Sequence, residues 1–338
     1  MPGGAENTAR RASSLRTVRR MDIDTDAWFA VLAAARAHDR PGGPALERAA
    51  EAGRLRIPSL HSRAVPVALP APGGATGYAG VALLRLHDTA ENAGNAFLDT
   101  LTVHPARRGR GVGRALWETV RGRLAAEGRT SVSTLVERGG AGERFAVARG
   151  AECALPLVAY VQDVRTAPTP ATGVPLPPGY RFATWSGVVP DEHAAAHARA
   201  HDAMQDAPTG DLDDQHDPWD TERIRAAAQV VLDRGGVLLT VAVLAEADGA
   251  VAGYTEIVLP TPDSVQAVQY DTVVVPAHRG RGLGRAVKLR MLEYLRAQRP
   301  DVREIETTVA DENTPMRAVN AALGYRAERT LGLYQVRL

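Results

Sequence analysis

The amino-acid sequence predicts an α/β protein made of two tandem units, each with a mixed β-sheet flanked by helices. One observation is a short phrase rich in glycine and arginine that occurs once in each half, with Arg108 and Arg279 at matching places 171 residues apart. A repeat at about one domain length indicates duplication of a whole domain, because solenoid units are roughly 20–50 residues long. The second observation is that each copy follows an apolar, strand-like run and opens an amphipathic helix, an alternation typical of layered α/β folds.

The composition is that of a globular protein with room for two cores, since 45% of the 338 residues are hydrophobic and 23% are charged. No apolar run approaches the ~20 residues of a membrane helix, and residues 1–20 lack the apolar centre of a secretory signal. The single cysteine, Cys153, excludes an intramolecular disulfide framework and offers no metal cluster. A net charge of +1 argues against a nucleic-acid or membrane-surface binder, and we expect a cytoplasmic protein.

A segment rich in proline, threonine and glycine divides the two units. Its prolines disfavour helices and strand pairing, so we interpret it as an extended linker. The predicted organisation is a disordered lead-in at residues 1–14, a first unit at 15–164, the linker at 165–179 and a second unit at 180–338.

The element order is clearest in the second unit. Strands are expected at residues 180–184, 237–246, 251–259, 268–275 and 302–309. A one-face apolar spacing predicts a helix over residues 283–299, which Pro300 ends. A later helix begins at Thr314, followed by proline at its favoured first position, and stops at Gly324, where glycine suits a left-handed cap.

The first unit follows the same order. A strand over residues 97–103 precedes a helix over 112–127, a strand over 131–136 and a short helix over 143–149 that Gly150 caps. The distance from the phrase arginine to the capping glycine is 42 residues here and 45 in the second unit. We therefore expect the same architecture in both.

The repeated phrase is suited to hold an anion. Its alternate glycines let successive backbone N–H groups point toward one place, and the following helix adds unpaired first-turn N–H groups and the positive end of its dipole. Arginines surround each copy, namely Arg108, Arg110 and Arg114, and Arg279, Arg281 and Arg285. A glycine turn that only caps a helix is the alternative for one copy, and the duplication favours a diphosphate ligand.

Two other phosphate loops are excluded. A P-loop needs Gly-Lys followed by Ser or Thr, which neither copy contains. A dinucleotide-binding loop needs G-x-G-x-x-G and an acidic residue about 20 positions further on. Here the pattern is G-x-G-x-G, and residues 131–135 contain no carboxylate.

The run V-x-P-x-x-R-G-x-G-x-G resembles the acyl-CoA-binding motif of the GNAT superfamily of N-acetyltransferases, and the resemblance covers nearly the whole chain as two tandem domains. It implies acetyl-CoA as the acyl donor, with its pyrophosphate on the loop and its pantetheine arm along a preceding strand that splays from its neighbour. The implied cofactor-binding residues are Val273, Val274, Val275, Arg279, Gly280, Arg281, Gly282, Leu283, Gly284 and Arg285 in the second unit, and Leu101, Thr102, Val103, Arg108, Gly109, Arg110, Gly111, Val112, Gly113 and Arg114 in the first.

The same resemblance favours the second unit as the catalytic one. Asn313 takes the place of an asparagine that contacts the cofactor arm in family members, although a helix cap is an equal alternative. Many members protonate the leaving thiolate with a tyrosine four residues before the glycine that caps the short helix. Those glycines are Gly150 and Gly324 here, and the residues four positions before them are Ala146 and Asn320. The general acid is therefore unassigned, with Tyr325, Tyr334 or a water as possibilities.

A carboxylate should accept the proton of the attacking amine, often through water. Glu256 is the first choice because it interrupts an apolar strand next to the cofactor strand, and Asp271 is the second. A solvent-facing strand residue is the alternative for each. Asp99 recurs at the matching place in the first unit, which suggests a structural role for Asp271.

The acceptor is expected to contact an acidic loop at residues 204–220, through Asp206, Asp211 and Trp219. Such a loop attracts a cationic acceptor, for example an amino sugar or a polyamine-like metabolite, although charge runs are usually solvated. His193, His197 and His201 have the spacing i, i+4 and i+8, which aligns them on one helix face. No companion motif supports a metal site, and none is expected. Lys288, the single lysine, could contact a phosphate, and a solvated helix lysine is slightly favoured.

The predicted function is acetyl-CoA-dependent transfer of an acetyl group to the primary amine of a small molecule, by direct attack in the second unit. Mycothiol synthase-type acetylation of a cysteinyl amine and a non-catalytic acyl-CoA-binding protein are the alternatives. The first unit could bind the cofactor without catalysis. No nucleic-acid or membrane partner is expected, and the protein is predicted to be a monomer or a homodimer.

Overall fold

Helices and strands alternate along the whole described chain, which covers residues 23–73, 76–170, 173–215 and 217–338 of the computed structural model. The expected lead-in at residues 1–14 lies outside this part. The helices are α1 (Thr25–Asp39), α2 (Arg48–Arg56), α3 (Val112–Ala126), α4 (Ala141–Val147), α5 (Asp191–His201), α6 (Thr221–Asp233), α7 (Leu283–Gln298) and α8 (Thr314–Ala322). The strands are β1 (Ser62–Pro70), β2 (Tyr78–His87), β3 (Asn95–Val103), β4 (Ser131–Glu137), β5 (Glu152–Asp163), β6 (Tyr180–Ser186), β7 (Val237–Ala245), β8 (Val251–Leu259), β9 (Gln266–Val274), β10 (Glu304–Ala310) and β11 (Arg326–Arg337).

The strands form one continuous sheet of eleven, in the order β1-β2-β3-β4-β11-β5-β10-β9-β8-β7-β6. The α/β class and the tandem arrangement predicted from the sequence are confirmed. The sheets of the two units are joined edge to edge rather than separated.

The join is made by an exchange of the last strand of each unit. Strand β5 runs antiparallel to β10 of the second unit, with Asp163 opposite Glu304. Strand β11 runs antiparallel to β4 of the first unit, with Arg337 opposite Ser131. The two exchanged strands also pair with each other. Each unit therefore depends on the other for the strand that completes its half of the sheet.

Helices cover both faces of the sheet. In the first unit, α3 packs on one face of the sheet and α1 on the other. In the second unit, α7 packs on one face and α5 on the other. The predicted stripe on α7 is confirmed, because Leu283, Val287, Met291 and Leu295 are all buried. Burial of each such side chain contributes about 1.5–3 kcal/mol.

Most predicted element bounds agree with the structure to within two residues. The short helix expected at residues 143–149 occupies 141–147 instead. Its first turn begins after Gly140 because the Glu143 carboxylate reaches back and accepts the N–H of Gly139. Within the described residues, no helix has both the length and the apolar character needed to cross a membrane.

We expect residues 1–164 expressed alone not to fold, because β4 and β5 then both lack β11 and β5 also lacks β10. Circular dichroism during thermal melting should show no cooperative transition. Co-expression with residues 165–338 should restore a folded complex that co-purifies. A cooperative melt of the isolated fragment would show that the exchange is not required.

Candidate active site

Both glycine loops have the same backbone conformation. In the first unit, Gly109 and Gly111 have φ angles of 71° and 83°, and in the second unit, Gly280 and Gly282 have φ angles of 76° and 77°. This left-handed region favours glycine, which explains the alternation in the sequence. A Cβ atom added at any of the four would meet no other atom within 4 Å, so the space above each loop is open.

The leading arginine of each loop is held by the protein itself. Arg108 donates from Nε to the Val103 carbonyl at 3.2 Å and from Nη1 and Nη2 to Asp39 at 2.5 and 2.7 Å. Arg279 donates to the Val274 carbonyl at 2.9 Å and to Asp206 at 2.7 Å. These two arginines therefore fix the loop to the strand before it, and their own contact with a cofactor stays a prediction.

The other arginines of the two loops differ in whether another side chain of the protein binds them. Arg281 donates to the hydroxyl of Tyr180 at 2.8 Å. Arg110, Arg114 and Arg285 are exposed, and no other described residue forms an ion pair with them. They are the charges most able to meet a bound diphosphate.

The strand before each loop splays from its parallel neighbour. Strand β3 pairs with β4 over three residues only, starting at Asn95, and β9 pairs with β10 over three residues starting at Gln266. In the first unit the gap opens into a cleft of about 1660 Å³. Of the predicted cofactor residues in that unit, all but Arg110 line it, namely Leu101, Thr102, Val103, Arg108, Gly109, Gly111, Val112, Gly113 and Arg114.

In the second unit, buried polar side chains form a chain of hydrogen bonds next to the place where β9 separates from β10. The Tyr325 hydroxyl donates to Gln269 Oε1 at 2.7 Å, and Gln269 Nε2 donates to Thr255 Oγ1 at 2.5 Å. Thr255 Oγ1 in turn donates to the carbonyl of Asp271 at 3.0 Å. Burial raises the pKa of Tyr325 above its ordinary value. This chain of contacts fixes the backbone of β9 where it leaves its neighbour.

Lys288 is buried in the same region, so the expectation of a solvated helix lysine or a phosphate contact is wrong. Its side chain faces the sheet, where Nζ donates to Asn320 Oδ1 at 2.7 Å and lies 4.5 Å from the centre of the Tyr325 ring. Burial without a carboxylate partner lowers the pKa of Lys288 to about 7. The Nδ2 group of Asn320 has no hydrogen-bond partner among the described residues.

The two predicted proton acceptors, Glu256 and Asp271, line one cavity of about 250 Å³. They meet at a bulge, where Tyr270 and Asp271 of β9 together face Glu256 of β8. The cavity lies against the strand that leads into the second glycine loop. The two acids selected from the sequence thus lie together in one cavity. Their catalytic role stays a prediction.

Each of the two acids is paired with a histidine of α5. His197 Nε2 lies 3.4 Å from Glu256 Oε1, which also accepts from Thr240 Oγ1 at 3.2 Å. His201 Nε2 lies 3.2 Å from Asp271 Oδ2. Sequence reasoning missed these partners, although the i, i+4 spacing of the histidines was a visible signal that they share a helix face. The second oxygen of each carboxylate meets no donor within the described part of the chain.

Of the three predicted acceptor residues, only Trp219 lines this cavity, where it stacks on His201 at 3.9 Å. Asp206 is bound to Arg279, and the backbone N–H of Asp211 donates to the Ala154 carbonyl of β5. Asp213 of the same loop binds Gln335 and Arg337 of β11. This loop therefore contacts the exchanged strands and the second glycine loop, and the contact of Asp206, Asp211 and Trp219 with an acceptor stays a prediction.

The strand register shows which residues correspond between the two units. Gly80 faces Val103, and Gly253 faces Val274, so counting from these pairs matches Leu83 with Glu256 and Thr100 with Asp271. The expectation that Asp99 matches Asp271 is wrong by one position, since Asp99 corresponds to Tyr270. The first unit thus has no carboxylate at either place.

The structure also locates the residues considered for contacts with the leaving group. Asn313 accepts the N–H of Met316 at 3.2 Å and is therefore a helix cap, while its contact with a cofactor stays a prediction. Tyr334 lies on β11 in the first unit, where it donates to Glu143. Burial, followed by that hydrogen bond, raises the pKa of Tyr334 to about 12. In the described residues, no group of three or more His, Cys, Asp or Glu is arranged to hold a metal ion.

Fold, paired loops and splayed strands together define an acyltransferase, and comparison with known sequences assigns its family. The chain belongs to the acetyltransferase (GNAT) family, whose model matches residues 63–142 and 198–325. Members of this family use acetyl-CoA as the acyl donor. The family membership argues against the alternative of a non-catalytic acyl-CoA-binding protein.

Individual relatives give a closer comparison. The chain is 30% identical over 231 residues to a protein named mycothiol acetyltransferase from Clavibacter michiganensis, covering 67% of this chain and 68% of that one. It is 31% identical over 280 residues to a protein of the same name from Beutenbergia cavernae, covering 80% and 82%. Among solved structures, a tandem GNAT protein from the clavulanic acid biosynthesis pathway matches with a TM-score of 0.81 and 29% identity, over 96% of this chain and 98% of that one.

The buried lysine gives a pH-dependent stability. Because the pKa of Lys288 falls from 10.5 to about 7 on folding, the unfolded chain binds a proton between these values that the folded chain does not. We expect the free energy of unfolding to rise with pH in this window, relative to Lys288→Met, by up to ~1.4 kcal/mol per pH unit.

Urea unfolding of both proteins at pH 7, 8 and 9 measures this difference. The Lys288→Arg variant keeps its charge throughout and should show no such rise relative to Lys288→Met. A difference between the native protein and Lys288→Met that is constant with pH would mean that the lysine stays charged in the folded state.

Proposed function

We propose that the chain is an acetyl-CoA-dependent N-acetyltransferase that acetylates the primary amine of a small molecule, and that residues 180–338 carry the chemistry. The observation that supports this most directly is the pair of histidine-bound carboxylates, Glu256 and Asp271, in one cavity beside β9. The first unit has Leu83 and Thr100 at the corresponding places and so offers no proton acceptor there.

Both glycine loops fit the diphosphate of acetyl-CoA. Their left-handed glycines leave open space, and the first-turn N–H groups of α3 and α7 point out of the helix ends without intrahelical partners. The proposed cofactor residues are those at 101–103 with 108–114 and at 273–275 with 279–285. When bound, acetyl-CoA supplies the thioester carbonyl that the amine attacks.

Glu256 and Asp271 are proposed to take the proton that the amine must lose. An alkylamine is protonated near neutral pH, and the free carboxylate oxygens can hold the ammonium group and then accept a proton, directly or through water. His197 and His201 hold the two acids in place from α5. As the N–C bond forms, the thioester C–S bond breaks and the leaving thiolate is protonated.

The proton for the thiolate is assigned to water. Tyr325 donates its hydroxyl to Gln269 inside the sheet, and the exchanged strand carries Tyr334 into the first unit. Asn320 has no acidic proton. Positioning and polarisation by fixed N–H groups carry much of an acyl transfer, so the reaction does not require a side-chain acid.

The first unit is proposed to bind acetyl-CoA without catalysis. Its cleft of about 1660 Å³ begins at the first glycine loop and extends to Val231, Arg234 and Tyr270 of the second unit. A cofactor bound there would contact both units. Such binding would stabilise the joined sheet, because a ligand that binds only the folded state adds to its stability.

A second candidate function is mycothiol synthase-type acetylation of a cysteinyl amine. Relatives named mycothiol acetyltransferase at 30–31% identity support it. The small cavity beside Glu256 and Asp271 does not favour an acceptor as large as a pseudo-disaccharide. A direct assay with that one acceptor separates the two functions.

Acetyl-CoA binding should involve two sites, one for each glycine loop. The substitutions Gly111→Ala and Gly282→Ala each force a side chain into a left-handed backbone, at a cost of roughly 1–2 kcal/mol, without a steric clash. Isothermal titration calorimetry should give a stoichiometry near two for the native chain and near one for either variant. Turnover should be lost in Gly282→Ala and kept in Gly111→Ala. Loss of turnover in Gly111→Ala alone would move the chemistry to the first unit.

Removal of either proton acceptor should slow acetyl transfer. Glu256→Gln and Asp271→Asn keep the shape of the side chain and are expected to lower kcat about 10²–10⁴-fold, the range for general-base catalysis, with little change in acetyl-CoA affinity. Thr100→Asn places the same amide at the matching position of the first unit and should leave kcat unchanged. Thiol release measures all three. A normal kcat in both acid variants would remove these residues from the mechanism.

A further inference from the structure

The cavity around Glu256 and Asp271 has few polar side chains in its lining. The two carboxylates and their histidines supply most of its polar side-chain atoms, and the others belong to Tyr270, Trp185 and Trp219. The rest of the wall is mainly carbon, with Trp185, Trp219, Tyr270, Ile224 and Leu238 as its largest members. A ligand that fills this space meets negative charge at one end and apolar surface elsewhere.

Aromatic rings form a large part of that apolar surface. His201 stacks with Trp219, at 3.9 Å, and with Tyr254, at 6.0 Å between ring centres. Trp219 is held in place by its backbone N–H, which donates to Asp202 at 3.0 Å, and by the Arg223 guanidinium, which lies 4.5 Å from the centre of its ring. Its position is therefore fixed before any ligand arrives, so little ordering cost remains for binding.

The cavity is also small. Its volume of about 250 Å³ lies below the roughly 300–1,000 Å³ of pockets for drug-sized ligands. It suits a molecule of about one aromatic ring with a short side chain.

We propose that the acceptor is a compact monoamine with an apolar or aromatic body, and not an amino sugar. This inference rests on the proposed function, because it names the acceptor class of that same site. The ammonium group lies against the free oxygens of Glu256 and Asp271, and the carbon body lies against Trp185, Trp219 and Ile224. The amine nitrogen is then beside β9, where the thioester is expected.

The apolar wall accounts for the discrimination against sugars. Each ring hydroxyl of an amino sugar would be taken from water into contact with carbon, at a cost of roughly 1–3 kcal/mol for every group left without a partner. The amine of a sugar would gain the same carboxylates as the amine of an aryl alkylamine. The difference between the two ligands therefore lies in the body of the molecule and not in its charge.

Binding is tested separately from turnover, with 2-phenylethylamine and glucosamine as probes. Quenching of tryptophan fluorescence in the full chain without acetyl-CoA gives Kd, and thiol release with acetyl-CoA gives kcat/KM. We expect Kd for 2-phenylethylamine to be at least about tenfold lower than for glucosamine, which corresponds to one unpaired hydroxyl or more. Asp271→Asn should weaken the binding of 2-phenylethylamine, because the carboxylate charge is lost.

A variant of the wall provides a second measurement. Val189→Thr keeps the side-chain shape but places a hydroxyl in the cavity, and it should raise Kd for 2-phenylethylamine about tenfold. The same substitution at the exposed Val147 is the matched control and should change nothing. Normal thermal unfolding of both variants shows that the effect is local.

The outcomes separate the two proposals. Tight binding of 2-phenylethylamine without thiol release supports the inferred ligand class and overturns the proposed acetyl transfer. Acetylation of glucosamine with equal or better Kd and kcat/KM overturns the inferred class and leaves the acetyltransferase intact. Failure of 2-phenylethylamine to bind the native chain also overturns the inference.

Discussion

Exchange of strands β5 and β11 is the constraint on which the rest of this structure depends. Each unit lacks the strand that would complete its own half of the sheet, and the missing strand comes from the other unit. The hydrogen bonds of both strands are satisfied only when the halves are joined, which fixes the relative position of the two glycine loops. It also brings α6 and β9 of the second unit into the wall of the first unit's cleft. The cleft beside the first glycine loop is therefore lined by residues of both units.

Duplication has left the loops alike and the surrounding sites different. Both loops share their left-handed glycines, their arginine bound to the strand end and an acidic partner for that arginine. The sites diverge where side chains leave the strands, with Leu83 and Thr100 in one half and Glu256 and Asp271 in the other. A backbone that binds a diphosphate can be kept while the residues around it change, because the loop contributes mainly N–H groups. The first unit thus keeps the glycine loop but has no carboxylate at either of the two places.

Burial of charge distinguishes the second unit further. Lys288 lies among apolar side chains with one amide as its partner, an arrangement that costs stability unless the amine is neutral. The two carboxylates beside α5 are instead paired with histidines and retain one free oxygen each. Paired acids that still have an unsatisfied oxygen next to an apolar cavity are suited to hold a cation. The cavity therefore combines negative charge with an apolar wall at the bulge between β8 and β9.

The sequence alone determined the tandem duplication, the glycine loops, most element bounds and the apolar stripe of α7. These features follow from local rules, such as the positive φ that only glycine adopts easily and the 3.6-residue period of a helix. It also selected Glu256 and Asp271, because acids within apolar strands stand out in the pattern. Only the tertiary structure decided the exchange of β5 and β11, the histidine partners, the burial of Lys288 and the use of the acidic loop against β11. The alternating pattern of β5 or β11 is compatible with pairing in either half of the sheet. Which half each strand joins therefore depends on contacts between residues far apart in the chain.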